Sequence, residues 1–498
     1  MHVIKVRKKY QRIGHRMMMQ DDYGLLATSR YVPRLRLERG EIFAQHRWMA
    51  PGLRSLSKGQ RAIANWDEDA VTMAVEASRA LAPGLAGQSV TALTLTSTTL
   101  PFAERINAGI VASALGLGSE TVVRDVVSSA RAATTELISA LARPGVQGQA
   151  QLIVAAERRT AKPASALEMI SGDGAAAVAM GYGPVIATLV GSHAEYADFV
   201  DHFRQTGESY DYGWEERWTR EEGYMKIALN AIKACLARFE VQATDVEHFV
   251  MPALLPKINE ALAKKLGIDP AAVAHTHGDT VGDIGCGQPL AMLDTVLRQA
   301  KPGALILVTS FGNGCDVLLL RRTGVACPGQ EPEAGKPETS YLKYLSFTGQ
   351  LDLEWGMRAE MDNKTALTAA WRDHRRVAHF EGGKCRHCGT IQFPSTRMCV
   401  NPECNAQDSQ EPISLADAPA HVLSHTSDFL AYTPHPPFQF GHIDFDAGGR
   451  VLMEFTDTDQ DELRPGLPVR MVFRIKEYDM KRGFRRYFWK ATPVRTAA

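Results

Sequence analysis

Four cysteines, Cys385, Cys388, Cys399 and Cys404, are spaced Cys-x2-Cys-x10-Cys-x4-Cys, a pattern that brings two short knuckles around one tetrahedral ion. Zinc suits four thiolates because it has no geometric preference of its own, and four protein ligands leave no position open for a catalytic water. The expected site is therefore structural zinc, against the alternative of redox-active or incidental thiols. Gly389 follows the first knuckle as a tight-turn residue, and Pro394 and Pro402 stiffen the approaches to the second. His387 lies inside the first knuckle, but four sulfurs already complete the shell, so it reads as an exposed loop histidine.

Larger elements must carry this ribbon. A chain of 498 residues is too long for one hydrophobic core and implies two or three domains. After a basic, acid-poor N-terminal extension (1–21), residues 22–323 alternate short apolar runs with amphipathic stretches, the signature of a layered α/β domain. Strands are expected at 90–98, 121–127, 151–157, 174–181, 247–253 and 304–312, and helices at 67–82, 130–142, 222–239, 253–267 and 288–300. The rhythm runs twice, with a join near 181–191, which predicts two similar halves. A Pro-, Gly- and Glu-rich linker (324–340), a connecting helical segment (341–380) and the zinc ribbon (381–405) follow. Residues 406–498 hold five alternating apolar-polar runs, and a small closed barrel is the natural way for them to remove exposed edges.

Lysine plus arginine and aspartate plus glutamate both number 56, so no overall field draws the chain to nucleic acid or to an anionic membrane. The basic-aromatic end KRGFRRYFWKATP (481–493) has residues that could stack bases and contact phosphate, but a barrel strand with a docking surface accounts for it better. Cys235, Cys286, Cys315 and Cys327 lack a pairing rhythm, which fits a reducing compartment. No apolar run approaches a membrane span and no secretory segment follows the basic start, so a cytoplasmic location is expected.

Within 22–323, the stretches YGLLATSRYVPRLRLERGEI, NWDEDAVTMAVEASRAL, SGDGAAAVAMG (171–181) and SFGNGCD (310–316) resemble the thiolase superfamily, in its branch of 3-hydroxy-3-methylglutaryl-CoA synthases and ketoacyl synthase III enzymes. From 340 onward the chain resembles the zinc-ribbon OB-fold proteins that accompany thiolase-like enzymes as subunits or fusions. The resemblance implies a thiolase-like layered α/β fold of two halves followed by a zinc ribbon and an all-β OB-fold barrel. It also implies a coenzyme A thioester as substrate, a homodimer and, as a further possible partner, a separate thiolase subunit.

This branch uses a cysteine nucleophile, a histidine, an asparagine and a glutamate. A thiolate takes the acyl group, and the histidine and asparagine polarise the thioester oxygen. The matching positions here are Ala130, Val250, Asp283 and Thr98, so the standard acyl-cysteine reaction is not expected. Ser128 and Ser129 flank the lost nucleophile without an identifiable base. Asp283 is the candidate catalytic residue, a carboxylate where the family presents an amide; the alternative is an Asp that organises the turn GDIGCG. Gly312, Asn313 and Gly314 are candidate substrate-binding residues, although a tight turn explains Asn313 equally well. Cys286 is more simply a buried hydrophobe than a nucleophile, and His275 and His277 more simply a loop pair than ligands. The segment 198–224 is dense in aromatics, with Tyr210, Tyr212, Trp214 and Trp218 as candidate walls of an acyl pocket or contacts of a dimer.

Three functions remain open at this point. The preferred one is an acyl-CoA enzyme that makes or breaks a carbon-carbon bond beside the thioester without an acyl-cysteine. Its rivals are a non-catalytic scaffold subunit of a thiolase complex and an ordinary synthase-type acyltransferase.

Overall fold

The apolar runs of residues 22–323 assemble into one nine-stranded sheet: β1 (Asp22–Tyr31), β2 (Ser89–Thr96), β3 (Val122–Val126), β4 (Gln149–Glu157), β5 (Gly174–Gly183), β6 (Ala187–Tyr196), β7 (His248–Val250), β8 (Leu305–Phe311) and β9 (Gly314–Arg322). The computed structural model describes residues 22–127, 129–329, 331–355, 366–459, 461–479 and 481–495; the N-terminal extension, Ser128 and the start of the helix-like stretch at 364–380 lie outside the described residues. Strand order is β7-β8-β9-β6-β1-β5-β4-β2-β3. Outward from the central β6/β1 seam, each side runs through antiparallel pairs into a parallel one, β4/β2 on one side and β8/β7 on the other. The two similar halves are thus visible as topology. All six expected strands form, and β1, β6 and β9 complete the set.

Small residues set the spacing. The run Ala175 to Ala179 on β5 is buried on both faces, which lets helix α1 (Ala70–Arg79) lie directly on the sheet. Helix α2 (Ala132–Leu141) and, further along, α5 (Gln288–Gln299) pack against the opposite face with Ile153, Val178 and Leu318. Between these lie α3 (Leu229–Arg238) and α4 (Ile258–Leu266). Two expected helices differ from their forecast. The 222–239 helix begins as wide π-type turns over Thr219–Ala228 before α3. The 253–267 helix starts only at Ile258, because Pro256 disfavours helical backbone at Leu255 and Lys257 turns at φ +61°. The preceding residues form a loop instead.

The C-terminal strands β10 (Ala420–Asp428), β11 (Phe438–Phe445), β12 (Arg450–Glu454), β13 (Pro468–Asp479) and β14 (Phe484–Pro493) form a five-stranded antiparallel sheet in the order β12-β11-β10-β13-β14. A bridge from Phe455 to Ala491 closes its ends, as an OB-fold barrel requires. Its interior, with Val422, Ile443, Phe473 and Trp489, is continuous with the residues beneath α1, so barrel and α/β layer share one core. Among the described residues no helix is long and apolar enough to cross a membrane.

The joint is electrostatic as well as apolar. Asp67, Glu68 and Asp69 are consecutive and wholly buried at the start of α1. Asp69 caps the helix, accepting from the Val71 and Thr72 amides at 3.0 Å, while its other oxygen accepts from Tyr487 (2.8 Å) and Arg485 (3.0 Å). Asp67 receives Lys490 at 3.0 Å and Thr456 at 2.9 Å; Glu68 lies 3.2 Å from Arg474. Burial lowers the Lys490 pKa, but Asp67 and Glu454 outweigh it and hold the ammonium above its ordinary range. Arg485 and Lys490 of the basic-aromatic stretch 481–493 therefore turn inward onto these acids. Removing one partner of such a buried pair strands the other. Lys490→Met should cost about 3–5 kcal/mol, read as a lower urea midpoint with unchanged circular dichroism at zero denaturant.

Candidate active site

Parallel strands β2 and β4 end on the same edge of the sheet, and their continuations meet there. Glu157, the last residue of β4, accepts from the Thr98 amide (2.9 Å), the Thr98 hydroxyl (3.1 Å) and the Thr99 hydroxyl (2.8 Å). Beside it runs the turn GDIGCG. The Asp283 amide donates to the Ile170 carbonyl and its carbonyl accepts from Gly172, both at 2.8 Å, so the turn is stitched to SGDG (171–174). The two loops touch so closely that a Cβ on Gly172 would sit 2.0 Å from the Val281 oxygen.

The Asp283 side chain stays 17% exposed. One oxygen accepts from the Gly285 amide at 2.8 Å, and the Arg159 guanidinium lies 3.8 Å away. Burial pushes its pKa up, and Arg159 only partly offsets this. Asp283 is one of the residues lining a cavity of about 290 Å³, together with Ile170, Gln288, the 252–257 loop and the exposed Lys257 and Glu260. Asp283 thus serves both the turn and the cavity.

The other positions sort clearly. Ala130 lies just before α2, and Gly312 faces it, with space for a Cβ only 3.5 Å from its amide. The Asn313 side-chain amide donates to the Phe199 carbonyl and the Gly312 backbone amide to the Gly314 carbonyl. Val250 does not face the cavity at all; its side chain is in the core, and Pro252 is the residue presented there. The strand ends at Val250, and the loop beyond it bears the cavity wall. Cys286 is fully buried, and burial together with Glu157 pushes its thiol well above the ordinary range, which suits a core residue. His277 donates to or accepts from Thr295 at 3.0 Å, and burial drives its pKa down to about 4. His275 is exposed. Of the expected aromatic walls, Trp218 stacks on Phe199 at 5.9 Å, whereas Tyr212 and Trp214 face outward and Tyr210 reaches Gln350.

Sequence reasoning missed Glu157, Arg159 and Tyr224. An acid and two arginines closing an otherwise apolar strand, QLIVAAERR, were the available signal for the first two. Tyr224 is buried behind the cavity wall, its pKa raised by burial and by the nearby charges of Asp201 and Asp283. Away from this site, the sulfurs of Cys385, Cys388, Cys399 and Cys404 all lie within 4.8 Å of one another. A tetrahedral ion with sulfur bonds of about 2.3 Å needs them about 3.8 Å apart, so the four thiols fit one.

Comparison with known proteins places the chain in a family. The hydroxymethylglutaryl-CoA synthase of Pyrococcus furiosus is 30% identical over 308 residues, covering 60% of this chain and 85% of the relative. The chain belongs to the hydroxymethylglutaryl-CoA synthase family. Within this family member, residues 236–319 match the 3-oxoacyl-(acyl-carrier-protein) synthase III C-terminal family, and residues 420–474 match the ChsH2 C-terminal OB-fold domain. A variant of Xanthomonas campestris OleA superposes with a TM-score of 0.54 at 20% identity, covering 62% of this chain and all of that one. An HMG-CoA synthase solved in complex with CoA gives 0.54 at 16% identity, covering 66% and 87%. These two define the fold of the α/β layer, and the ribbon and barrel are additional to it.

Gly285 tests the packing of the site. Its φ is +58°, and a Cβ would lie 2.9 Å from Glu157 Cγ. Gly285→Ala should therefore destabilise by about 1–3 kcal/mol, lowering the melting temperature by several degrees.

Proposed function

We propose that this protein makes or breaks a carbon-carbon bond beside the thioester of an acyl-CoA, with Asp283 as base and no acyl-enzyme. The observation that carries the reading is that Asp283, a carboxylate with a partly exposed side chain, lines a cavity, in a chain read as having Ala130 where the family has its nucleophile. The family's relatives are hydroxymethylglutaryl-CoA synthases, and a solved member binds CoA. In this reading the thioester arm enters past Lys257, and the acyl carbon stops at Asp283.

In the cleavage direction, Asp283 takes the proton of a 3-hydroxyl. The C2–C3 bond breaks, its electron pair passes to the thioester as an enolate, and a carbonyl compound leaves; the enolate then takes a proton at C2. The reverse sequence is an aldol addition. Neither direction needs a redox partner or a covalent acyl group. A pKa raised by burial suits a base, because it brings the carboxylate nearer the range in which proton transfer is productive.

The ribbon cysteines would hold a structural zinc, which gives the small ribbon its fold and leaves no ligand position for substrate. A second copy would pair along β3, the sheet edge, where Val122 and Val127 are more than half exposed.

Asp283→Asn should lower turnover of 3-hydroxyacyl-CoAs by about 10²–10⁴-fold while leaving thioester binding intact. Unchanged turnover would remove Asp283 from the mechanism, and turnover only in the presence of a cysteine-bearing thiolase would make the protein a scaffold subunit. The acidic limb of the pH profile should rise as Asp283 ionises. Arg159 lowers that pKa, so Arg159→Gln should move the limb to higher pH. Metal analysis should find one zinc per chain, with Cys388→Ser reducing both zinc content and melting temperature.

A further inference from the structure

The Arg159 guanidinium is anchored by one of its nitrogens and idle at the others. Its Nη2 donates to Asp211 at 2.5 Å, and its backbone amide donates to Asp173 at 3.2 Å. Asp211 is itself held in place. It lies next to the pairing of His202 and Phe203 with Tyr212 and Gly213, and it accepts from Arg204 at 2.9 Å. The same hairpin is tied down by the Trp214 amide, which donates to the Asp201 carbonyl (2.9 Å), and by the Tyr210 hydroxyl, which donates to Gln350 (3.3 Å). Arg159 Nη1 is 3.8 Å from Asp283 Oδ1, too long for a hydrogen bond, and Nε is buried without a partner among the described residues. The Arg159 side chain is only 6% exposed. Asp283 gives its Oδ1 to the Gly285 amide and leaves Oδ2 without a hydrogen bond among the described residues. A buried and oriented guanidinium thus ends beside the candidate base with donor capacity unspent.

We propose that Arg159 is a second catalytic residue of this site: its Nη1 donates to the thioester oxygen as the acyl-CoA is enolised, while Asp283 Oδ2 carries the proton. The assignment rests on the acyl-CoA reading above. When Asp283 removes a proton from C2, the C–H electron pair becomes the C1–C2 double bond and a carbonyl pair moves onto the oxygen. In the cleavage direction the C2–C3 pair takes the same route. Either way the oxygen becomes an anion, and the positions where the resemblance places a histidine and an asparagine, Val250 and Asp283, offer it no neutral donor. Arg159 supplies a charged one. Burial lowers its pKa, but Asp211, Asp283 and Glu157 outweigh it and hold the guanidinium above its ordinary range, so it donates hydrogen bonds and keeps its protons. A donor oriented before charge develops, in a site largely closed to water, stabilises such an anion most. Asp211 is the positioning residue, because it acts through Arg159.

Tuning Asp283 and holding the oxygen are separable by pH. On the alkaline side of the Asp283 limb the base is ionised with or without Arg159. There Arg159→Gln should still slow α-deuterium exchange of butyryl-CoA by about 10²–10³-fold, and a plateau equal to the parent's would overturn the proposal. Infrared difference spectra of bound butyryl-CoA give a readout that needs no proton transfer. The thioester carbonyl stretch should fall in frequency on binding to the parent and to Asp283→Asn, and should stay at the free-ester position in Arg159→Gln. Arg159→Gln strands a buried carboxylate, so Arg159→Gln combined with Asp211→Asn removes the pair as a unit and should fold with the same loss. A shift that survives in the double variant, or no shift on binding to the parent, would overturn the proposal. Exchange that survives Asp283→Asn with the shift present would reject Asp283 as the base and support Arg159, whereas failure of butyryl-CoA to bind the parent would reject the acyl-CoA reading and this assignment with it.

Discussion

Three adjacent carboxylates with no access to water set the terms for the rest of the molecule. Asp67, Glu68 and Asp69 are buried by the barrel and neutralised by residues that the barrel supplies. Buried charges survive only when paired and hydrogen-bonded, so the α/β layer and the barrel are electrostatically incomplete without one another. The Ile475 amide donates to the Asp67 carbonyl at 2.8 Å, which fixes the register of the docking as well as its charge. From this corner α1 runs beneath the sheet. The same corner reaches the site through Arg158, which donates to the Glu68 carbonyl at 2.9 Å and stands between Glu157 and Arg159.

The site is built by close contact between loops. Glycines 172, 282 and 285 let two turns interpenetrate, and Asp283 is held by its backbone on one side and by Gly285 on the other. A carboxylate fixed in this way has its orientation set before substrate arrives, which is what a base in a proton transfer requires. The price is a raised pKa, and Arg159 limits how far it rises.

Much of this was legible in the residues. Apolar runs between turn signals located six strands of the sheet and the five of the barrel, because strand and helix periods survive in any sequence that buries one face. The cysteine spacing located the ribbon. Features decided by three-dimensional closure were not legible. Val250 and Pro252 are two residues apart, yet only the point where the strand ends decides which one faces the cavity. Glu157 and Arg159 acquire meaning only when β2 and β4 end together and the hairpin that pairs His202 and Phe203 with Tyr212 and Gly213 folds back over them. The stretch 481–493 was read as a barrel strand with a docking surface, and what its sequence could not show is that Arg485, Tyr487 and Lys490 would dock on Asp67 and Asp69.

In the proposed reaction this protein activates a thioester by proton transfer at carbon without forming an acyl-enzyme. Incubating it with acyl-CoA in heavy water, and following deuterium at the α-carbon by nuclear magnetic resonance and the protein's intact mass in parallel, tests that claim most directly. Deuterium wash-in that Asp283→Asn abolishes, with no acyl adduct on the protein, is the expected result. Absence of exchange by a protein that binds the thioester, or an acylated residue, would contradict it.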